Sequence, residues 1–196
     1  MATREEWLEA AVRALLDDVF NGAIPKDLVR VSCGWPHRGG VSERKKTLGQ
    51  CWPRTSSTDG TNQIFINPIL FDGEKVLEVL VHELCHAIDD CQHGHGKPFI
   101  AIAKAAGLQG PWTGTSAGPE LKEKLRLILQ ELGPYPHAAL KVESRTVQKT
   151  FMLKAECTGC GAVIRITQKW VDAASARGGL RCPVCESTEP MIVERG

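Results

Sequence analysis

No stretch of the 196-residue sequence approaches the roughly 20 consecutive apolar residues that a membrane span needs. The opening MATREEWLEAAVRALLDDVF carries acids throughout and lacks the unbroken apolar run of a signal peptide. Net charge is scarce too: 24 Lys and Arg stand against 23 Asp and Glu, a formal +1. Bulk charge therefore does not argue for a nucleic-acid or membrane partner. Internal repeats and low-complexity tracts are missing, which argues against repeat architectures. What remains is a globular composition, 42% hydrophobic and 24% charged, long enough for one ordinary domain or one domain plus a small module. The expected location is the cytoplasm, with no membrane partner.

The eight cysteines do not read as a disulfide framework. There is no export signal, and four of them fall in two CxxC pairs, a pattern of reduced thiols and metal ligation. The small net charge also hides an asymmetry. Residues 1–140 hold 15 Lys/Arg against 17 Asp/Glu, a net of −2, and residues 141–196 hold 9 against 6, a net of +3.

Trp7, Leu8, Ala11, Leu15 and Val19 recur at helical spacing, and Asn21-Gly22 supplies a stop. DLVRVSC (27–33), KTLGQCW (46–52) and NQIFINP (62–68) are short strand candidates, expected to form one small antiparallel sheet. The segment 74–91, EKVLEVLVHELCHAIDDC, is apolar on a wide face and is expected to be a central helix. KPFIAIAKAAG follows as a second helix, with Pro98 in its first turn and Gly107 at its end. PELKEKLRLILQELG places Leu121, Leu125, Ile128 and Leu132 on one stripe and closes at Gly133-Pro134. Residues 134–150, with two prolines and little periodicity, read as a linker. These elements predict an α+β fold: a first domain over 1–133, the linker, and a four-cysteine module over 151–196.

The chemistry concentrates in residues 82–99, HELCHAIDDCQHGHGKPF. His82-Glu83-Leu84-Cys85-His86 is an HExxH motif on the predicted central helix. Positions four apart lie one above the other on a helix, so both imidazoles can reach one zinc ion. Glu83 then projects near an open coordination position, where it can take a proton from water. A catalytic zinc usually keeps three protein ligands. The metzincin spacing fails, because it would need a histidine at Gln92 and a glycine at Asp89. Glu120 and Glu123 sit at the polar start of a helix, where acids serve the helix terminus. That leaves His93 and His95, of which His95 is favoured because Gly94 and Gly96 let the chain turn back toward the metal. Cys91 carries no feature that marks it as a ligand, and Cys33, Cys51 and Cys85 read as small core residues.

HELCHA followed by GHGKPF resembles the SprT-like family, the zinc metalloproteases related to Spartan. The order of elements is similar as well: an amino-terminal helix, a small sheet, an INPIL segment and the motif helix, over roughly residues 5–132. The resemblance implies a zincin-like protease domain, zinc on His82, His86 and His95, and Glu83 as the catalytic residue. His93 has no counterpart in it.

Cys157-x-x-Cys160 and Cys182-x-x-Cys185 are 21 residues apart. Each pair can grip a metal from one tight turn, and two such knuckles complete a tetrahedral shell of four thiolates. With every position filled by protein, this second zinc is expected to be structural, supporting a module too small to rely on its own core. Many SprT-like proteins end in a comparable zinc ribbon, so the resemblance extends to it.

The expected reaction is peptide hydrolysis, with Tyr135 and His93 as candidate further donors to the oxyanion; the alternatives are a non-catalytic zinc-containing nucleic-acid-binding protein and a general metallopeptidase unrelated to DNA. The resemblance implies protein substrates attached to DNA, with DNA as activator. Two stretches fit a nucleic-acid surface, in particular a single-stranded one. Residues 35–54, WPHRGGVSERKKTLGQCWPR, carry five Lys/Arg, one acid, and Trp35 and Trp52 near the ends. The carboxy-terminal module offers Arg165, Lys169, Trp170, Arg177 and Arg181.

Overall fold

Thr3 opens the first helix, α1 (Arg4–Asp18), through a reciprocal capping box with Glu6. Its apolar positions recur three and four apart, so Trp7, Leu8, Ala11, Val12, Leu15 and Leu16 all face inward. The computed structural model describes residues 3–37, 39–40, 46–141, 152–185 and 187–194. It divides into two compact units, Met1–Glu143 and Ser144–Gly196, and is α+β, with five helices and three small sheets among the described residues.

In the first unit a three-stranded sheet is built from β1 (Val29–Cys33), β2 (Gly49–Trp52) and β3 (Asn62–Ile66). The expected all-antiparallel sheet is corrected here. β2 and β3 do pair antiparallel, Gly49 opposite Ile66, but β1 pairs parallel with β3, Val29 opposite Asn62. The strand order is β1–β3–β2. The chain therefore runs past the central position between β1 and β2, and β3 returns to fill it in the same direction as β1. Alternation in the sequence marks strands but not their order, so the mixed topology was not legible there. A consequence matters for the site: β2 becomes an edge strand, with one row of backbone groups unpaired by the sheet.

Helix α2 (Gly73–Ile88) packs across this sheet and against α1, α3 (Lys97–Ala105) and α4 (Pro119–Leu132). Asp72 caps its start by accepting from the Lys75 N–H at 3.2 Å. It buries Val76, Leu77, Leu80, Val81, Leu84 and Cys85, which makes it the core helix that its sequence predicts. It ends at Ile88 rather than Cys91, because Asp90 and Cys91 adopt left-handed φ values of 47° and 57°. A two-stranded ladder, β4 (Leu108–Gln109) with β5 (Ser116–Ala117), follows α3.

The expected linker, 134–150, begins with residues held against the first unit. Tyr135 is buried on Trp7, ring centroids 4.9 Å apart. His137 Nε2 lies 2.8 Å from the Pro68 carbonyl, and Leu140 N–H donates to the same oxygen at 3.0 Å. Residues 142–150 lie outside the described residues.

The second unit holds an antiparallel sheet ordered β7–β6–β8, from β6 (Leu153–Glu156), β7 (Val163–Ile166) and β8 (Ile192–Glu194). A helix that the sequence reading did not anticipate, α5 (Gln168–Ser175), follows β7. The core is small, Ala155, Cys157, Cys182 and Met191, as expected for a module supported by something besides apolar burial.

Candidate metal centre

Two turns of α2 carry the first part of the site. His82 and His86 are one turn apart and project to the same side, and Glu83 lies beside them. After Ile88 the chain reverses. Asp89 ends the helix, Asp90 and Cys91 turn left-handed, and Gly94 repeats that conformation at φ 52°, where a Cβ would be strained. The reversal delivers His95 above the helix it has just left, and Gly96 then caps α3. The result is a close trio: His95 Nε2 is 3.2 Å from His82 Nε2 and 3.2 Å from His86 Nε2.

His93 is placed differently. Its Nδ1 lies 2.7 Å from Asp89 Oδ1, and its backbone N–H donates to Asp89 Oδ2 at 2.9 Å. Asp89 thus ties His93 to the turn and away from the trio. The Tyr135 hydroxyl is also remote: the ring packs on Trp7, beside Cys33 and Arg4. Neither residue lines the cleft, so neither can serve as the oxyanion donor considered from the sequence. Glu123 is occupied by Arg126, at 2.6 Å on its own helix.

The three imidazoles rest on Phe99, which is fully buried. Its centroid lies 4.4 Å from His86, in a stacked arrangement, 5.1 Å from His82 and 5.0 Å from His95. His82 has a further partner on the opposite wall, Thr115 Oγ1, 2.9 Å from its Nδ1. Fixing one ring nitrogen in this way presents the other to a ligand. Nothing local to the motif announces Thr115, which is 33 residues away.

Glu83 is 5% exposed and lies against the free edge of β2, where the Cys51 N–H faces its carboxyl group. Gly49, in the same strand, leaves it room. A Cβ there would meet Glu83 Oε1 at 2.7 Å and Glu83 Cγ at 2.8 Å. Burial, and then the nearby Cys91, push the Glu83 carboxyl up to about 8, while the Cys51 N–H pulls the other way. Burial lowers His82 to about 3 and His86 to about 4, helped by the neighbouring imidazoles. His95 is lowered by burial as well. All three are therefore neutral near pH 7, the protonation state that a metal ligand requires.

The donor sets fit zinc. Tetrahedral coordination at ~2.05 Å puts neighbouring nitrogens roughly 3.3 Å apart, against the 3.2 Å between the Nε2 atoms. In the second unit Cys157 Sγ is 3.6 Å from Cys185 Sγ, and Cys160 Sγ is 3.6 Å from Cys182 Sγ. Four thiolates at ~2.3 Å from one ion would stand roughly 3.8 Å apart. The Val184 and Cys185 N–H groups pull the Cys182 thiol down to about 6, so Cys182 itself favours the thiolate. The trio and the four thiols are the groups of three or more metal-ligating side chains gathered within 4.8 Å among the described residues. They differ in kind, since four protein donors close a shell and three leave one position open.

The trio opens onto a cleft of about 880 Å³, walled by β2, α2, the 91–95 turn and the Thr113–Thr115 segment. No helix among the described residues is long and apolar enough to cross a membrane. No curated protein and no solved structure matches the chain. The SprT-like family model matches residues 8–119, more than half of the sequence and a span that runs from α1 through β5 and includes Glu83 and all three clustered histidines. The chain belongs to the SprT-like family.

Proposed function

We propose that this protein is a zinc-dependent endopeptidase of zincin-like architecture that acts on proteins associated with DNA. The observation that carries the reading is the convergence of His82, His86 and His95 beside a buried Glu83 at the floor of one open cleft. A purely structural metal site has no use for a buried carboxyl next to an incomplete shell.

His82, His86 and His95 would hold the ion. Bound there, zinc supplies Lewis acidity, which makes water acidic near neutral pH and polarises a carbonyl oxygen. The chain's own groups do the rest. Glu83, ionised once a dication stands beside it, accepts the proton of the attacking water and returns it to the departing amine. The Cys51 N–H keeps that carboxylate at the edge of β2. Thr115 and Phe99 hold the imidazoles in one orientation, so little reorganisation is needed during the reaction. The four cysteines would hold a second zinc that stabilises the small unit and takes no part in the chemistry.

DNA as recruiter and activator is supported by family membership and by exposed side chains. Arg165, Lys169, Trp170, Arg177 and Arg181 are exposed on the second unit, with Lys169 Nζ 5.3 Å from the Trp170 ring centroid. An exposed aromatic among cations suits an unpaired base next to phosphates. In the first unit Trp35 is 43% exposed, whereas Trp52 is half-buried against His37. Arg38, Arg44 and Lys45 of the same basic stretch lie outside the described residues.

The test is cleavage of a basic DNA-binding protein by the zinc-loaded protein, with and without single-stranded DNA, beside Glu83→Gln. Cleavage that needs both DNA and Glu83 is expected. Cleavage indifferent to DNA would keep the peptidase and remove the DNA-directed substrate class. Loss of cleavage in every lane, with zinc bound, would sink the enzyme reading.

A further inference from the structure

Two side chains in the cleft have no part in the reaction just described. Cys51, on β2, and Cys91, in the turn after α2, both line the cavity and are both half-buried. Cys91 Sγ lies 3.6 Å from the Cys51 carbonyl oxygen, so the two cysteines are in direct contact. The remaining cysteines are placed otherwise. Four form the cluster of the second unit, Cys85 is fully buried, and Cys33 sits beside Tyr135 and Arg4.

The fold holds this pair together by more than chance packing. Asp90, the neighbour of Cys91, accepts from the Arg54 N–H at 2.9 Å and from Asn62 Nδ2 at 3.0 Å. Asn62 Nδ2 also donates to the Trp52 carbonyl at 3.2 Å. The end of β2 and the turn after α2 are therefore pinned to each other on either side of the two thiols. The Cys91 N–H, bonded to the His86 carbonyl at 2.8 Å, holds the backbone of that residue against the helix end.

We propose that Cys51 and Cys91 are an oxidisable pair, a modification site at which a peroxide closes a disulfide between the β2 edge and the turn after α2. We propose further, resting on the peptidase reading, that the closed form suspends turnover. The chemistry balances with hydrogen peroxide alone. One thiol sulfur attacks a peroxide oxygen: an S–O bond forms, the O–O bond breaks, and one water leaves, giving a sulfenic acid. The second sulfur attacks the first: the S–S bond forms, the S–O bond breaks, and a second water leaves. Two thiols lose two electrons and two protons, and one peroxide becomes two waters.

Closure should matter because of what else β2 does. A disulfide brings its sulfurs to ~2.05 Å, so the edge and the turn must draw together from the 3.6 Å contact that Cys91 Sγ makes with the Cys51 carbonyl. The backbone N–H that holds Glu83 belongs to Cys51 itself, and at Gly49 there is no slack between the strand and Glu83. Misplacing a reacting group by about 1 Å costs on the order of 100-fold in rate.

The experiment treats the full-length, zinc-loaded protein with graded hydrogen peroxide, alkylates the remaining thiols and maps linked peptides by mass spectrometry. Bound zinc and turnover of an unfolded protein substrate are read on the same samples. A Cys51–Cys91 linkage is expected at doses that leave both zinc ions bound, together with at least ~10-fold lower turnover that dithiothreitol restores. Cys91→Ser should form no such linkage and show no peroxide-dependent loss relative to its own untreated rate. Release of zinc from the four-cysteine site before any Cys51–Cys91 linkage would overturn the proposal, as would oxidation of Cys91 to sulfinic acid without linkage. Linkage with unchanged turnover would remove the regulatory half. A reduced wild-type protein that cleaves nothing refutes the peptidase reading instead, and the linked peptide still decides the thiol pair.

Discussion

Gly49→Ala tests whether the position of Glu83 is set by the β2 edge. The added Cβ would lie 2.6 Å from Val79 Cγ1, 2.7 Å from Glu83 Oε1 and 2.8 Å from Glu83 Cγ. Ordinary contact is ~3.5 Å, so the shortfall is roughly 0.8 Å at each. Val79 is β-branched on a helix and cannot turn away cheaply. The backbone of β2 is locked to β3 by its ladder. Glu83 must therefore give, moving its carboxyl away from the Cys51 N–H. Overpacking of this kind costs about 1–3 kcal/mol of stability. Moving the base by several tenths of an ångström should lower kcat by about 10- to 100-fold. None of the three histidines supplies any of the three atoms nearest the new methyl, so zinc affinity should stay within about threefold. The assay is kcat together with a chelator-competition zinc constant, for the variant and for Gly49→Ala in a Glu83→Gln background. If the effect passes through Glu83, the double variant matches Glu83→Gln, because coupled positions are not additive. A wild-type kcat in Gly49→Ala would refute the reasoning, and so would a further full loss on top of Glu83→Gln.

Other perturbations follow from the same geometry. Thr115→Val removes the partner of His82 Nδ1 and should weaken zinc binding by about 10- to 100-fold, with Thr115→Ser retaining most of it; equal affinity in both variants would deny Thr115 its orienting role. The metal-free protein should be most stable near pH 6.5. His82 and His86 are held by burial at about 3 and about 4 against an ordinary 6.5, so the unfolded chain binds more protons and stability climbs as pH rises to that value. Glu83, raised by burial to about 8 from 4.5, acts with the opposite sign: its contribution is complete below 4.5 and lost as pH rises through about 8. Urea midpoints at pH 6.5 and 8.5 in a chelator should fall for the wild type and much less for Glu83→Gln; equal falls would show that Glu83 is not the group responsible. Cys160→Ser opens the four-thiol shell and should release one zinc with loss of structure in the second unit, while the far-ultraviolet signal of α1 to α4 persists; a metal content still at two would refute the assignment.

Much of this was legible because a helix writes its geometry in short range. The spacing of His82 and His86 fixes a shared face once α2 is known to be a helix, and the apolar residues from Val76 to Ala87 make that assignment secure. Gly94 and Gly96 mark a reversal that can bring a later histidine back, which favours His95 over His93 from the sequence alone. The two knuckles were equally plain from their spacing. Helix α5 was not, since it is only eight residues long and no side chain in it is buried.

The walls of the site lie beyond that short range, and the reason is topological. Glu83 is held by Cys51, 32 positions before it in the chain, and His82 by Thr115, 33 positions after it. Neither partner carries a motif of its own, because a backbone N–H can come from any residue except proline and a lone hydroxyl from any threonine. What makes them partners is the order β1–β3–β2, which leaves the Cys51 edge open toward α2, and the β4–β5 ladder, which brings Thr115 back beside His82. The same order sets Cys51 against Cys91. A sequential β1–β2–β3 sheet would place β2 in the centre, spend the Cys51 N–H on a neighbouring strand, and remove at once the anchor of the base and the thiol pair. The mixed sheet is thus the feature on which the cleft's chemistry depends most, and it is the one that alternation of residues could not reveal.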